Sequence, residues 1–500
     1  MSDNVNTLIS RFTKGSILVF AGNLLGIGSQ YLIRIIIGRF LSPAIYGLII
    51  LGFTLMNFLG IFSLLGLHQG VAQRIPRMKK PDQLFQVAVG TAFLFALATS
   101  IVFFLLLEPL SVVLSEPKFK TVGIPFVVAV PFFVLFQMSV GGVRGKHDGK
   151  SMFIVQLMYG VSFAFIILAI QAGVDSLDLS IVWSVGIITT SILTLIFLKI
   201  NTSLFDIREL VYSFTSSLTY FGDVKTLLVF SAPLMISSGV SKLLQQSDNF
   251  LISYYTDSNA IGLYDAAFTS AIVILLFTNT TGFLFLPLFS ELHEEKRRKK
   301  MDRVYKIVTK GMAFCALPIF LTIFIYGSEI LNLLFGQEYV EAAVITSIVS
   351  TGLFSHVVFG PNQAGLVAIG ESKQVLYSNV MALIINFLLN VLLIPVWGIV
   401  GAGLASAMSY AMRNIYLTYF LHSKTSVQPF NLRYIIPLLV SAAALAAMHF
   451  LYKATMEHSA SILSFLVISS LFLHIGIVYS LGLEPNERQI LKNAGAQFFQ

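Results

Sequence analysis

The sequence predicts an all-α protein that crosses a membrane many times, and three observations carry that prediction. Hydrophobic residues make up 56% of the chain and charged ones 11%, whereas soluble domains carry about 25% charged residues. Apolar runs recur at the length, about 20 residues, that a helix needs to cross the hydrocarbon core. Lysine and arginine gather in every other connection between those runs, as they do on the cytoplasmic side of membrane proteins. The same topology signal accounts for the basic balance of the chain without a nucleic-acid partner. The lone cysteine, Cys315, lies in an apolar run, where a core position is expected; it excludes an internal disulfide or thiolate metal cluster. The polar start, MSDNVNTLISRFTKG, and the length of the first apolar run do not fit a cleavable signal.

In chain order the spans fall near residues 15–38, 45–67, 84–107, 121–143, 152–172, 180–199, 227–253, 262–289, 308–335, 341–368, 375–395, 399–420, 433–452 and 460–482. That makes about fourteen helices, and an even number puts both termini on one side. Alternate loops carry Arg74, Arg77, Lys79 and Lys80, then Arg144, Lys146 and Lys150, then Lys199, Arg208 and Lys225. The densest runs from Lys296 to Lys306. The opposite loops pair few lysines with acids such as Glu108, Glu116, Asp257 and Glu338. Positive charge marks the cytoplasmic side, so a cytoplasmic membrane location with both termini cytoplasmic is expected.

Between the sixth and seventh spans, Phe205, Ile207, Leu210, Val211, Phe214, Leu218 and Phe221 recur near helical spacing. They suggest an amphipathic helix on the inner leaflet. The expected organisation is therefore an N-terminal lobe over 1–200, a cytoplasmic linker over 201–226 and a C-terminal lobe over 227–421. Two further helices follow over 432–483, with a cytoplasmic tail over 484–500. Internal similarity supports the two lobes: RIIIGRFLSPAIYGLIILG matches NFLISYYTDSNAIGLYDAA, and RGKHDGKSMFIVQLM matches AIGESKQVLYSNVM. Copies separated by an even number of spans are parallel repeats about an axis along the membrane normal.

Candidate functional residues are the polar groups placed at membrane depth. A charge at the bilayer centre costs about 2.5–3.5 kcal/mol on insertion scales and so faces a bundle interior or a watery cavity. The seventh span, within Ser231 to Tyr264, holds Lys242, Gln245, Gln246, Asp248 and Asn249; the first holds Gln30, Arg34 and Arg39. Lys242 has no acid on its own helix face, so it is expected to line a cavity with Arg34, Gln30, Gln245 and Asn249. Cations in such a cavity suit an anionic substrate, a phosphate group above all. Arg34 and Asp248 sit at similar places in the two copies, so an ion pair between them is expected to close the outer side. Asp248 and Arg39 are the coupling or gating candidates, with outward snorkelling as the simpler account of Arg39. Asn386 and Asn390 share a face and suit helix–helix hydrogen bonding. His356 reads as a hydrogen-bonded bundle residue. No HExxH, GxSxG or Walker loop is present, so no enzyme, metal or cofactor is expected. The work of transport must then come from an ion gradient, the membrane potential or the substrate's own gradient.

Several short stretches, in order, resemble the polysaccharide transporter branch of the MOP exporter superfamily. They are Arg39-Phe40-Leu41-Ser42-Pro43 with Tyr46-Gly47, then Leu65-Gly66-Leu67, then Asp248 followed by Gly262-Leu263-Tyr264. Leu334-Phe335-Gly336 with Tyr339 and Ala342 comes next, and last Asn386, Asn390, Pro395, Gly398, Gly401 and Ala402. The resemblance implies a MATE-like fold of two six-helix lobes around a V-shaped cavity, with alternating access. It implies a flippase for a polyprenyl diphosphate-linked oligosaccharide. The implied partners are that substrate, membrane lipids, Na+ or H+ as coupling ion, and glycan-assembly enzymes. Three alternatives stand beside it: a cation-coupled multidrug exporter of the same superfamily, a peptidoglycan-precursor flippase, and a membrane glycan polymerase or ligase. The multidrug exporter should have a more acidic cavity, and the polymerase a large external loop with paired acids.

Overall fold

In the computed structural model the described residues are 28–77, 81–146, 148–175, 177–202, 221–430, 432–454 and 472–482, with 26 and 469. Among them the regular structure is entirely helical. The helices are α1 over 28–40, then α2 Pro43–Leu64, α3 Leu67–Arg74, α4 Pro81–Val113, α5 Phe119–Gly145, α6 Gly149–Met158, α7 Gly160–Gln171 and α8 Leu179–Asn201. Next come α9 Phe221–Tyr255, α10 Ser258–Ala271, α11 Leu276–Glu294, α12 Arg298–Ile325, α13 Gly327–Leu334 and α14 Ala343–Val358. Last are α15 Asn362–Ala368, α16 Ser372–Thr425 and α17 Leu432–Ala454.

Nine stretches among the described residues are long and apolar enough to cross a membrane. Two of the expected spans, 375–395 and 399–420, are one run, α16, 54 residues long and interrupted at Gly398. Gly398 has φ 56° and ψ −138°, a conformation that needs glycine. The opening of the first expected span, most of the linker at 201–226, the first part of 460–482 and the tail at 484–500 lie outside the described residues.

The chain forms two compact units. The first gathers residues 1–269 with Leu334–Tyr339 and Phe387–Ala402. Its centre is aromatic: Trp183 of α8 stacks on Phe53 of α2 at 4.4 Å between centroids and meets Phe126 of α5 edge-on at 5.7 Å. All three rings are buried. Hydroxyls tie neighbouring helices where apolar contact alone gives no register: Ser100 donates to the Val127 carbonyl across α4 and α5, and Ser162 meets Thr190 across α7 and α8. Lipid is as apolar as leucine, so packing and such hydrogen bonds hold membrane helices together.

The second unit comprises Ser270–Leu333, Val340–Asn386 and Gly403–Gln500. Phe285 and Phe289 of α11, Tyr305 of α12, Leu366 of α15, and Leu417 and Leu421 of α16 form a buried cluster there. The Tyr305 hydroxyl donates to the Phe359 carbonyl at 2.9 Å. Cys315 is exposed on α12 rather than in the core. The expectation failed for a physical reason: a lipid-facing helix side is as apolar as a core-facing one, so hydrophobicity does not separate them.

Candidate functional site

The site lies in the first unit, where the two stretches matched in sequence meet. Pro43 opens α2 with no N–H to satisfy, after an extended Ser42. Ser258 opens α10, and its N–H donates to Glu116 Oε1 at 2.6 Å, a carboxylate at the positive end of a helix dipole. The two helix starts cross at a pair of glycines. A methyl group on Gly47 would overlap the Ser258 carbonyl oxygen, and one on Gly262 would overlap the Pro43 carbonyl oxygen. Each glycine thus touches the residue four before its counterpart. This reciprocal contact makes Gly47 and Gly262 equivalent positions of the two copies.

Arg34 and Asn249 each precede their glycine by the same number of residues, and each reaches across to the other copy. Arg34 Nη1 donates to Asp265 Oδ1 of α10 at 2.7 Å. Asn249 Nδ2 donates to Thr54 Oγ1 of α2 at 3.0 Å. The second Asp265 oxygen accepts from the Tyr46 hydroxyl at 2.6 Å. The Arg34 guanidinium also lies over the rings of Phe53 and Tyr31, at 5.4 and 5.7 Å from their centroids, in reach of a cation–π attraction. Its Nε is buried without a partner among the described residues.

The expected Arg34–Asp248 pair is therefore corrected to Arg34–Asp265. Helical phase explains the difference: Asp248 is adjacent in sequence to Asn249, the position equivalent to Arg34, so its side chain leaves α9 in another direction. Asp248 is buried and accepts from the Tyr264 hydroxyl at 2.6 Å and from Asn390 Nδ2 at 2.7 Å. It fastens α9 to α10 and to the first part of α16.

An aromatic segment seats on the same junction. Phe335 and Tyr339 pack on Tyr46, each with centroids 6.0 Å away, and the Tyr339 hydroxyl donates to the Leu41 carbonyl at 3.0 Å. Arg39 is exposed at the end of α1, beside Gly336.

Lys242 is exposed on α9, as is Gln245 one turn on, and Gln30 is half-buried on α1. Arg34 is held by Asp265, whereas among the described residues Lys242 has no carboxylate at salt-bridge distance. Asn249 faces Thr54 instead, and Asp248 and Arg39 do not join the cations. Sequence reasoning missed Asp265, the counter-ion of the site. Its signal was present as an acid just after Gly262, inside an apolar helix.

Nine helices long and apolar enough to cross a membrane among the described residues mark a multi-pass membrane protein. A family model described as polysaccharide biosynthesis protein matches residues 36–344, and the chain belongs to that family. It is 23% identical to the probable low-salt glycan biosynthesis flippase Agl15 of Haloferax volcanii over 426 residues, 83% of this chain and 84% of that protein. The probable flippase AglR of the same organism is 25% identical over 301 residues, 56% of this chain and 57% of AglR. Among solved structures, lipid II flippase MurJ in an inward closed conformation superposes with a TM-score of 0.71 at 16% identity, covering 93% of this chain and 99% of MurJ. An inward-facing multidrug resistance transporter of the MATE family and MOP superfamily gives 0.64 at 13% identity, covering 81% and 94%. These likenesses show the MATE-like fold expected from the sequence, a fold shared with MurJ.

Proposed function

We propose that this chain is a flippase carrying a polyprenyl diphosphate-linked oligosaccharide across the cytoplasmic membrane for polysaccharide export. The observation that carries this reading is Lys242, an exposed ammonium on α9 with no carboxylate at salt-bridge distance among the described residues. Such a cation suits an anionic head group and disfavours a cationic drug. Relatives named as flippases and the fold shared with a lipid II flippase support the same reading.

In the proposed orientation both termini are cytoplasmic and the Gly47–Gly262 crossing lies at the outer end. The diphosphate meets Lys242 from the inner side while the lipid tail stays in the bilayer. The six-helix lobes over 1–200 and 227–421 then rock, the crossing parts, and the head group leaves outward. A ligand shifts such an equilibrium only by binding the two states differently; a diphosphate does so by competing with Asp265 for Arg34. The membrane potential contributes to the drive. Each negative charge moved outward across an inside-negative 100 mV gains about 2.3 kcal/mol. Asp248, Asp265 and Arg39 are the gating groups in this scheme, and a Na+ or H+ gradient is a second source of work. Glycan-assembly enzymes supply the substrate.

The test is flipping of a fluorescent lipid diphosphate oligosaccharide in proteoliposomes. Losing a charge-assisted contact of about 1.5–3 kcal/mol lowers the rate about 10- to 100-fold in Lys242→Ala, whereas Lys242→Arg keeps most of it. Lys242 is exposed and forms no ion pair among the described residues, so thermal stability is expected to stay at the parent value. An unchanged flipping rate in folded Lys242→Ala removes the assignment.

A further inference from the structure

The second unit holds another cation at membrane depth, and nothing in the scheme above uses it. Arg413 stands in the stretch of α16 that runs from the Gly398 break to Thr425. It is seven residues inside the end of the expected span 399–420, roughly 10 Å at 1.5 Å per residue. Its only polar partners among the described residues are amides. Nε donates to Asn379 Oδ1 at 2.6 Å, and Nη2 donates to the Gln363 side-chain oxygen. Neither partner carries charge, and no described carboxylate lies at salt-bridge distance from it.

A guanidinium has five N–H donors in a fixed fork. The two amide oxygens hold one edge of this fork, and the other edge has no hydrogen-bond partner among the described residues. Arg413 is half-buried, and Gln363 beside it is exposed. The residues behind it are pinned. Asn362 is buried, its Nδ2 donates to Thr418 Oγ1 at 3.1 Å, and its Oδ1 accepts from the Gln363 N–H at 2.7 Å. Asn414 is buried and donates to Ser355 Oγ at 3.0 Å. The result is an oriented, uncompensated cation on a rigid polar bed, presenting a planar fork. An ion left so at membrane depth is costly, and a dianionic oxyanion offers the bidentate match that would relieve it.

We propose that Arg413, oriented by Asn379 and Gln363, is a second phosphate-binding station, in the second unit, for the diphosphate head group of the transported lipid. This rests on the flippase reading for the identity of the ligand. The geometry of the station does not depend on Lys242.

The test is calorimetric titration of the full chain in zwitterionic-lipid nanodiscs, with geranylgeranyl diphosphate and, separately, inorganic pyrophosphate as probes. The expected wild-type isotherm has two components for the lipid diphosphate. Arg413→Gln weakens one of them about 10- to 100-fold, the loss of a charged hydrogen-bonded contact, and leaves the other. Lys242→Ala does the converse. Arg413→Lys retains the Arg413 component in part, and Gln363→Leu weakens it without removing charge. Thermal melting of each variant without ligand separates binding from folding. Should Arg413→Gln be too unstable to titrate, Gln363→Leu and Arg413→Lys decide the matter alone. Two unchanged components in Arg413→Gln, or in Gln363→Leu if that variant must decide, overturn the station and leave Lys242 standing. Loss confined to Arg413→Gln, with Lys242→Ala silent, overturns the Lys242 reading and keeps the station. Binding of inorganic pyrophosphate but not of the lipid diphosphate at Arg413 overturns the station as a substrate site. No diphosphate binding by the wild type overturns both.

Discussion

Gly47→Ala and Gly262→Ala are each expected to cut flipping by about 150-fold while leaving the protein inserted and folded. The added methyl would overlap a backbone carbonyl of the facing helix start, Ser258 in one case and Pro43 in the other. A side chain can rotate away from such an overlap; a helix backbone cannot, so the two helix starts must separate. Overpacking costs 1–3 kcal/mol and occasionally more. About 3 kcal/mol placed on the closed junction alone changes its population by roughly 150-fold. The change falls on one conformational state, which distinguishes it from ordinary destabilisation. Ser258 is buried at the crossing, so Ser258→Cys in a Cys315→Ser background reports on it. A membrane-impermeant thiol reagent added from outside should label that cysteine slowly in the parent and much faster with Gly47→Ala. Gly311→Ala is the control, since a methyl there meets nothing within 4 Å. Parent-like labelling together with parent-like flipping would show that the crossing does not gate transport.

The parts of the fold legible in the sequence were those that solvent chooses. Length and apolar content place the helices, and the break at Gly398 stands between two spans where an interruption was expected. The matched stretches around Gly47 and Gly262 were also legible, and they meet reciprocally in the structure. Which side chain faces which was not legible, because every side of a membrane helix can be apolar for its own reason. Cys315 shows this for lipid against core. Asp248 and Asp265 show it for the site. Both are acids in apolar helices near the same junction, and only helical phase, fixed by the glycine crossing, selects Asp265 as the partner of Arg34. Aligning the copies on Gly47 and Gly262 puts Asn249, not Asp248, in register with Arg34. Arg413 carries no sequence signal of its own. Its burden of uncharged partners appears only when Gln363 and Asn379 are brought beside it.

Asp265→Ala is expected to be the most destabilising single change at the site. Arg34 loses its only described carboxylate at salt-bridge distance, and it stands 14% exposed with its Nε already lacking a partner. Breaking a buried pair from one side costs about 3–5 kcal/mol, because the remaining charge is left uncompensated. Tyr46→Phe removes one hydrogen bond to the same carboxylate and should cost less, about 1.5–3 kcal/mol for a bond to a charged group. The informative variant is the double replacement Arg34→Met with Asp265→Leu. Well-packed apolar residues often replace a buried ion pair without loss of stability, and sometimes with a gain. Thermal melting of the purified proteins should therefore rank the double variant near the parent and far above Asp265→Ala. Flipping should rank them otherwise. If the diphosphate works by competing with Asp265 for Arg34, the stable double variant has nothing to compete for, and its rate should stay as low as that of the single variant. A double variant that recovers both stability and flipping would make the pair a structural strut. Recovery of stability alone would locate the switch in the Arg34–Asp265 ion pair beside the crossing.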